Sequence, residues 1–134
     1  MTQAAYGLKA RTDLGMKEAE EKVRELLSAE GFGILTEIDV AETLKAKLGL
    51  TRRPYRILGA CNPQLASDAL DEEIDIGLLL PCNVVVYEDD DGTVVSVLDP
   101  EMMVQTTENP ALEHVASEAR SRLERVANGM RETG

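Results

Sequence analysis

Two segments, Tyr55-Arg56-Ile57-Leu58-Gly59-Ala60-Cys61-Asn62-Pro63 and Leu79-Leu80-Pro81-Cys82-Asn83-Val84-Val85-Val86-Tyr87-Glu88, decide how this chain is read. The first is a β-forming run that stops at Asn-Pro. Asparagine caps a helix and proline fits its first turn, so a strand over 55–60 passes directly into a helix. The second is rich in β-branched and aromatic residues from 82 to 88. It meets Asp91-Gly92, a strong hairpin signal, and returns over 93–98. Three consecutive valines predict a strand covered on both faces and central in its sheet. Both cysteines of the chain lie in these segments, each followed by asparagine and each beside a proline.

Working outward, a strand over 3–10 precedes a helix that Thr12 or Asp13 would cap. That helix runs to about residue 30 on the apolar stripe Met16, Ala19, Val23, Leu26 and Leu27. Gly31 is a left-handed stop. Residues 32–38 read as a strand with Phe32, Ile34, Thr36 and Ile38 on one face. Asp39 and Glu42 form a capping-box pattern at the start of a short helix that Gly49 ends. After the hairpin, residues 101–108 read as irregular. Asn109-Pro110 then opens a last helix with the stripe Leu112, Val115, Ala116, Ala119, Leu123 and Val126, terminated by Gly129. The order β-α-β-α-β-α-β-β-α predicts an α+β fold, a mixed or antiparallel sheet flanked by helices. No linker, repeat or low-complexity tract divides residues 1–134, so one domain is expected, ordered over about 3–130.

Formal charge is −11, from 14 basic and 25 acidic residues, and it is unevenly spread. No Lys or Arg lies between Arg56 and Arg120, an interval rich in Asp and Glu. Binding to nucleic acid draws on cations that displace phosphate counterions, and anionic membranes repel the same surface, so neither is an expected partner. No apolar run approaches the length of a membrane span. The N-terminal residues lack a signal-peptide pattern, which predicts a cytoplasmic protein with reduced thiols.

Cys61 and Cys82 are the residues with the most chemical potential. Their spacing is too long for a CxxC motif, so only the fold brings them together. If the two strands pair antiparallel, the end of one meets the start of the other. Cys61 then stands just before a helix N-terminus, where amides and dipole favour a thiolate, with Arg53 and Arg56 nearby in sequence. The alternative is that both are small buried hydrophobes. Asn62 reads as a helix cap, whereas Asn83, early in an apolar strand, is either a structural hydrogen-bonder or a ligand contact. The one histidine, His114, has no partner at metal-binding spacing, and no metal or cofactor is expected. The run Glu88-Asp89-Asp90-Asp91 reads as a solvated hairpin and lacks EF-hand spacing.

Gly31-Phe32-Gly33, Thr36-Glu37-Ile38-Asp39-Val40, the two segments quoted first and Asp99-Pro100 together resemble the domain of unknown function 302 family, from about residue 5 to 128. The resemblance implies a small α+β domain, with dimeric forms, and no established activity. The expectation is therefore a homodimeric binding or interaction module for a small molecule or anion. Its pocket would use Cys61, Asn62, Cys82 and Asn83 with Tyr55, Arg56 and Glu37. Two alternatives stand beside it: a thiol redox enzyme or sensor using Cys61 with Cys82 as resolving partner, and a purely structural homodimer.

Overall fold

A computed structural model describes residues 6–131 of the chain. The strands are β1 (Gly7–Thr12), β2 (Gly33–Asp39), β3 (Tyr55–Cys61), β4 (Cys82–Asp89) and β5 (Gly92–Leu98). They form one sheet in the order β1-β5-β4-β3-β2, with every neighbouring pair antiparallel. The helices are α1 (Met16–Ala29), α2 (Val40–Leu48), α3 (Pro63–Glu72), α4 (Glu101–Thr107) and α5 (Glu113–Arg131), with a 3-10 segment Ile74–Leu79 between α3 and β4. The α+β class and the central place of the triple-valine strand stand as the sequence predicts. Residues 3–5 of the expected first strand lie outside the described residues.

One face of the sheet makes the core. Leu8 and Ala10 of β1, Leu58 and Ala60 of β3, Val84 and Val86 of β4, and Val95 and Val97 of β5 meet Val23 and Leu27 of α1 and Leu123, Val126 and Met130 of α5. All are buried, and full burial of each Leu, Val or Met side chain contributes about 1.5–3 kcal/mol before conformational entropy is charged against it. A second apolar cluster caps one end of the molecule, where Ala69, Ile76, Met103, Leu112, Val115 and Ala116 join α3, the 3-10 segment, α4 and the start of α5.

Among the described residues the opposite face has no helical layer beyond α2, whose Val40 and Leu44 line a cleft with Tyr55 at its edge. The registers place Tyr55, Ile57 and Gly59 of β3 against Tyr87, Val85 and Asn83 of β4, and Val85 and Tyr87 against Ser96 and Val94 of β5. The expectation that the valine run is covered on both sides is therefore not met among the described residues. Val84 and Val86 are in the core, while Val85 is only half-buried. On this open face the Tyr55 and Tyr87 rings stack at 5.4 Å, and the Lys9 ammonium lies 6.0 Å from the Tyr87 centroid.

Four local expectations are corrected. Thr12 and Asp13 do not cap α1: Gly15 is its N-cap, and the Thr12 hydroxyl instead accepts the Leu14 N–H at 3.2 Å. Thr12 is still the last residue of β1, paired with Thr93, which holds it one turn too early. Phe32, Ile34, Thr36 and Ile38 do not share a face. A bulge between Ile34 and Thr36 leaves Leu35 outside the ladder, so Ile34 pairs with core-facing Ala60 while Thr36 pairs with open-face Gly59. Residues 101–107 are helical, with an Asp99 side chain accepting the Glu101 N–H and Met103 buried as the anchor. Gly129 does not end the last helix, which runs to Arg131. It is the place where α1 presses in: a Cβ there would stand 2.9 Å from both Leu26 methyls.

Candidate functional site

The two Cys-Asn segments converge as the strand pairing requires. Ala60 pairs with Cys82 and Gly59 with Asn83, so Cys61 lies one step beyond the Cys82 register. Cys61, Asn62 and Cys82 line one apolar cavity with Phe32, Leu65 and Met103, but its volume is about 20 Å³. That is room for roughly one water molecule, far below the several hundred Å³ of a small-ligand site. Both thiols are free. Cys82 is buried, and burial, with a smaller contribution from Cys61, pushes its thiol up to about 11. The arginines near in sequence do not serve these thiols. Arg53 pairs with Asp90, and Arg56 sits at the other end of β3, roughly 17 Å from Cys61 at about 3.4 Å per residue.

Asn62 is spent on structure. Its side-chain oxygen accepts the Leu65 N–H at 3.2 Å to cap α3, and its amide donates to the Glu30 carbonyl at 3.5 Å. Arg122 donates to that same carbonyl at 2.8 Å, so the C-terminus of α1 is closed from two sides. Gly31 follows with φ 84°, and a Cβ there would lie 2.9 Å from the Asn62 amide nitrogen. Asn83 points away from this cavity, exposed on the open face opposite Gly59. Gly59 permits a close crossing there, since a Cβ would stand 2.2 Å from the Thr36 hydroxyl and 2.7 Å from the Pro81 ring.

The remaining candidates, Tyr55, Arg56 and Glu37, belong to a different place. Tyr55 and Arg56 line a cleft of about 750 Å³ between α1, α2 and the segment leading into β3. Its floor is an ion network. The Arg56 guanidinium donates to Glu20 at 2.9 and 3.2 Å and to Glu37 at 2.9 Å, and Arg24 donates to Glu20 and reaches Glu37 at 3.0 Å. Asp39, which accepts the Glu42 N–H as the cap of α2, lies 3.8 Å from Arg56. Burial works against the Glu20 carboxylate, but the hydrogen bonds from Arg56 and then Arg24 outweigh it and hold its pKa below the usual range.

The walls of the cleft carry Lys17, Lys45 and Arg52, exposed and in no ion pair among the described residues. The sequence gives little warning of this site, because its cations are scattered over three elements and belong to no motif. Its one legible sign is that ten of the fourteen basic residues occur by Arg56. The helix α2 that forms one wall has no buried residue and only half-buried Val40, Ala41 and Leu44. A second cleft, of about 420 Å³, lies along its other side against Arg53, Pro54 and Glu88. Among the described residues no helix is long and apolar enough to cross a membrane, and no three His, Cys, Asp or Glu side chains are grouped to hold a metal ion.

No functionally curated protein matches the sequence. Its fold is similar to the crystal structure of an uncharacterised conserved DUF302 protein from Bacillus stearothermophilus. The TM-score is 0.89 at 36% identity, over 96% of this chain and 100% of that one. Residues 8–130 match the family described as domain of unknown function DUF302, and with this agreement of sequence and fold the chain belongs to that family.

Proposed function

We propose that this protein is a small-anion-binding module whose site is the cleft between α1 and α2. The observation that carries the reading is the charge of that cleft. Lys17, Arg24, Lys45, Arg52 and Arg56 face Glu20, Glu21, Asp39 and Glu42 in its lining, and with Glu37 paired to Arg56 the cations there match the carboxylates, on a chain of net charge −11. Arg24 and Arg56 are neutralised by Glu20, Glu37 and Asp39. That leaves Lys17, Lys45 and Arg52, beside Glu21 and Glu42, to meet an anionic ligand, with Met16, Pro54 and Tyr55 as apolar and aromatic contact. A volume of about 750 Å³ suits a ligand of metabolite size. Calorimetric titration with citrate and with inorganic phosphate tests it, against a variant without the three free cations.

The expected pocket at the Cys-Asn segments thus gives way to a site that keeps two of its members, Tyr55 and Arg56, with Glu37 bracing the latter. The thiol reading has less support, because a buried Cys82 with a raised pKa is a poor partner for exchange with Cys61.

A second reading, homodimerisation, is favoured by the open sheet face. Across β3, β4 and β5 that face carries Tyr55, Ile57, Asn83, Val85, Tyr87, buried Val94 and Ser96, bordered by Lys9 and by the Arg11–Asp89 ion pair. A two-layer domain gains by covering such a surface. On a chain this acidic, it is also a patch where two copies meet with little repulsion. Sedimentation equilibrium tests this reading independently of ligand.

A further inference from the structure

The end of the molecule opposite the cleft carries its own unassigned surface. The 3-10 segment Ile74–Leu79 is anchored by buried Ile76, yet it exposes Ile74 (77%) and Leu78 (87%), the two most exposed large apolar side chains of the described residues. Leu70 on α3 is exposed as well. Leu79 of the same segment forms, with Tyr6, Leu98, Met102 and Met103, an apolar socket of about 190 Å³. Solvated apolar groups on this scale mark contact surfaces.

The charge around them is of one sign. Asp71, Glu72 and Asp75 flank Leu70 and Ile74 and enter no ion pair among the described residues, and no Lys or Arg occurs from residue 57 to 119. Nearby on α4, burial, then the charge and hydrogen bond of Glu113, raise the Glu101 carboxyl against the opposing charge of Arg120. A second copy of this chain is a poor occupant. It carries a net charge of −11, its Arg11, Arg24, Arg53, Arg56, Arg120, Arg122 and Arg125 are held in internal ion pairs, and its exposed Lys17, Lys45 and Arg52 line the cleft together with carboxylates.

We propose that this surface docks a basic amphipathic segment of a partner protein. The segment places an apolar side chain in the socket formed by Tyr6, Leu79, Leu98 and Met102. Its other apolar residues lie on Ile74 and Leu78, and its Lys or Arg side chains face Asp71, Glu72 and Asp75. The pairing combines an apolar anchor with charge complementarity, which sets the orientation and speeds association.

The test is a titration of the full chain against a fluorescein-labelled 14-residue Leu/Lys peptide with apolar residues at helical spacing. A peptide in which every Leu is replaced by Ser is the control. Saturable binding of the Leu/Lys peptide is expected, weakened at least tenfold in the control and in the variant Ile74→Ser/Leu78→Ser. These two side chains are exposed, so the variant keeps its circular dichroism and unfolding midpoint. The variant Asp71→Asn/Asp75→Asn binds more weakly and with a shallower salt dependence. Equal affinity in wild type and Ile74→Ser/Leu78→Ser overturns the proposal, as does the absence of saturable binding. A wild-type dimer that dissociates on the Ile74→Ser/Leu78→Ser change overturns it too, by assigning the face to a second copy.

Discussion

Arg56 on β3 and Glu20 on α1 are joined by two hydrogen bonds, of 2.9 and 3.2 Å, that tie the sheet to the helix at the floor of the cleft. The pair is partly buried, with 26% of the Arg56 side chain and 18% of the Glu20 side chain exposed. This is where the architecture and the proposed site share residues. The network fixes the floor so that the free cations of the walls project over it.

Replacing Arg56 with Met leaves Glu20 partly buried and with Arg24 alone, and Glu37 likewise. The expected loss is about 1–3 kcal/mol, the usual cost of removing a charge-assisted hydrogen-bond partner. Urea unfolding of R56M measures it. The pH dependence has a definite sign. The folded pKa of Glu20 is lowered, so its contribution is present above the unfolded carboxylate value and lost as pH falls through the folded one. The difference in stability between wild type and E20Q should accordingly shrink on acidification.

Glu101 behaves in the opposite sense. Burial, then Glu113 and Asp99, raise its carboxyl. A raised folded pKa gives stability that is full below the unfolded value and lost as pH rises through the folded one. The variant Glu101→Gln is therefore expected to melt at a higher temperature than wild type at pH 7, with the gain vanishing near pH 4. Calorimetric scans at the two pH values check it.

The cysteines separate by exposure. Cys82 is buried with its thiol at about 11, so alkylation of the native protein at pH 8 should leave it unmodified until the chain unfolds. Cys61, half-buried at the mouth of the small cavity, should label first. Mass spectrometry of peptides after timed iodoacetamide treatment reads both. Rapid native labelling of Cys82, or a Cys61–Cys82 disulfide formed under mild oxidation, would revive the thiol reading.

The open sheet face makes a separate prediction. Val85 is at its centre, half-buried, between Ile57 and Ser96. A charge there, in Val85→Lys, should convert a dimer to a monomer in sedimentation equilibrium without loss of secondary structure. A wild-type monomer across micromolar concentrations would contradict dimerisation through this face.

Much of this fold is legible in particular residues because their signals are local. Asp39 and Asn62 cap the helices that follow them, Gly31 and Gly49 take positive φ at helix ends, and Asp91-Gly92 makes the hairpin. The misses have tertiary causes. Thr12 is held in β1 by its pairing with Thr93, Leu35 is squeezed out of the ladder as a bulge, and Gly129 is a contact with Leu26 instead of a stop. The helix α4 did have a local sign in Asp99-Pro100, the same carboxyl-or-amide and proline start seen at 62–63 and 109–110. The pairing of the Cys-Asn segments could be foreseen from antiparallel neighbours. How little space lies between the thiols depends on Phe32, Leu65 and Met103, which arrive from three other parts of the chain. The larger cleft is set by where α2 lies beside α1, and no periodicity within either helix encodes that.

Ligand binding at the α1–α2 cleft is tested most directly by one calorimetric comparison. Citrate is titrated into wild type and into the triple variant Lys17→Ala/Lys45→Ala/Arg52→Ala, whose side chains are exposed and outside the ion network. The predicted result is saturable one-to-one binding to wild type, weakened by at least about 1.4 kcal/mol, a factor of ten, in the variant. Inorganic phosphate in place of citrate should show the same order. No saturable heat with either anion, or equal affinity in the two proteins, would contradict the account.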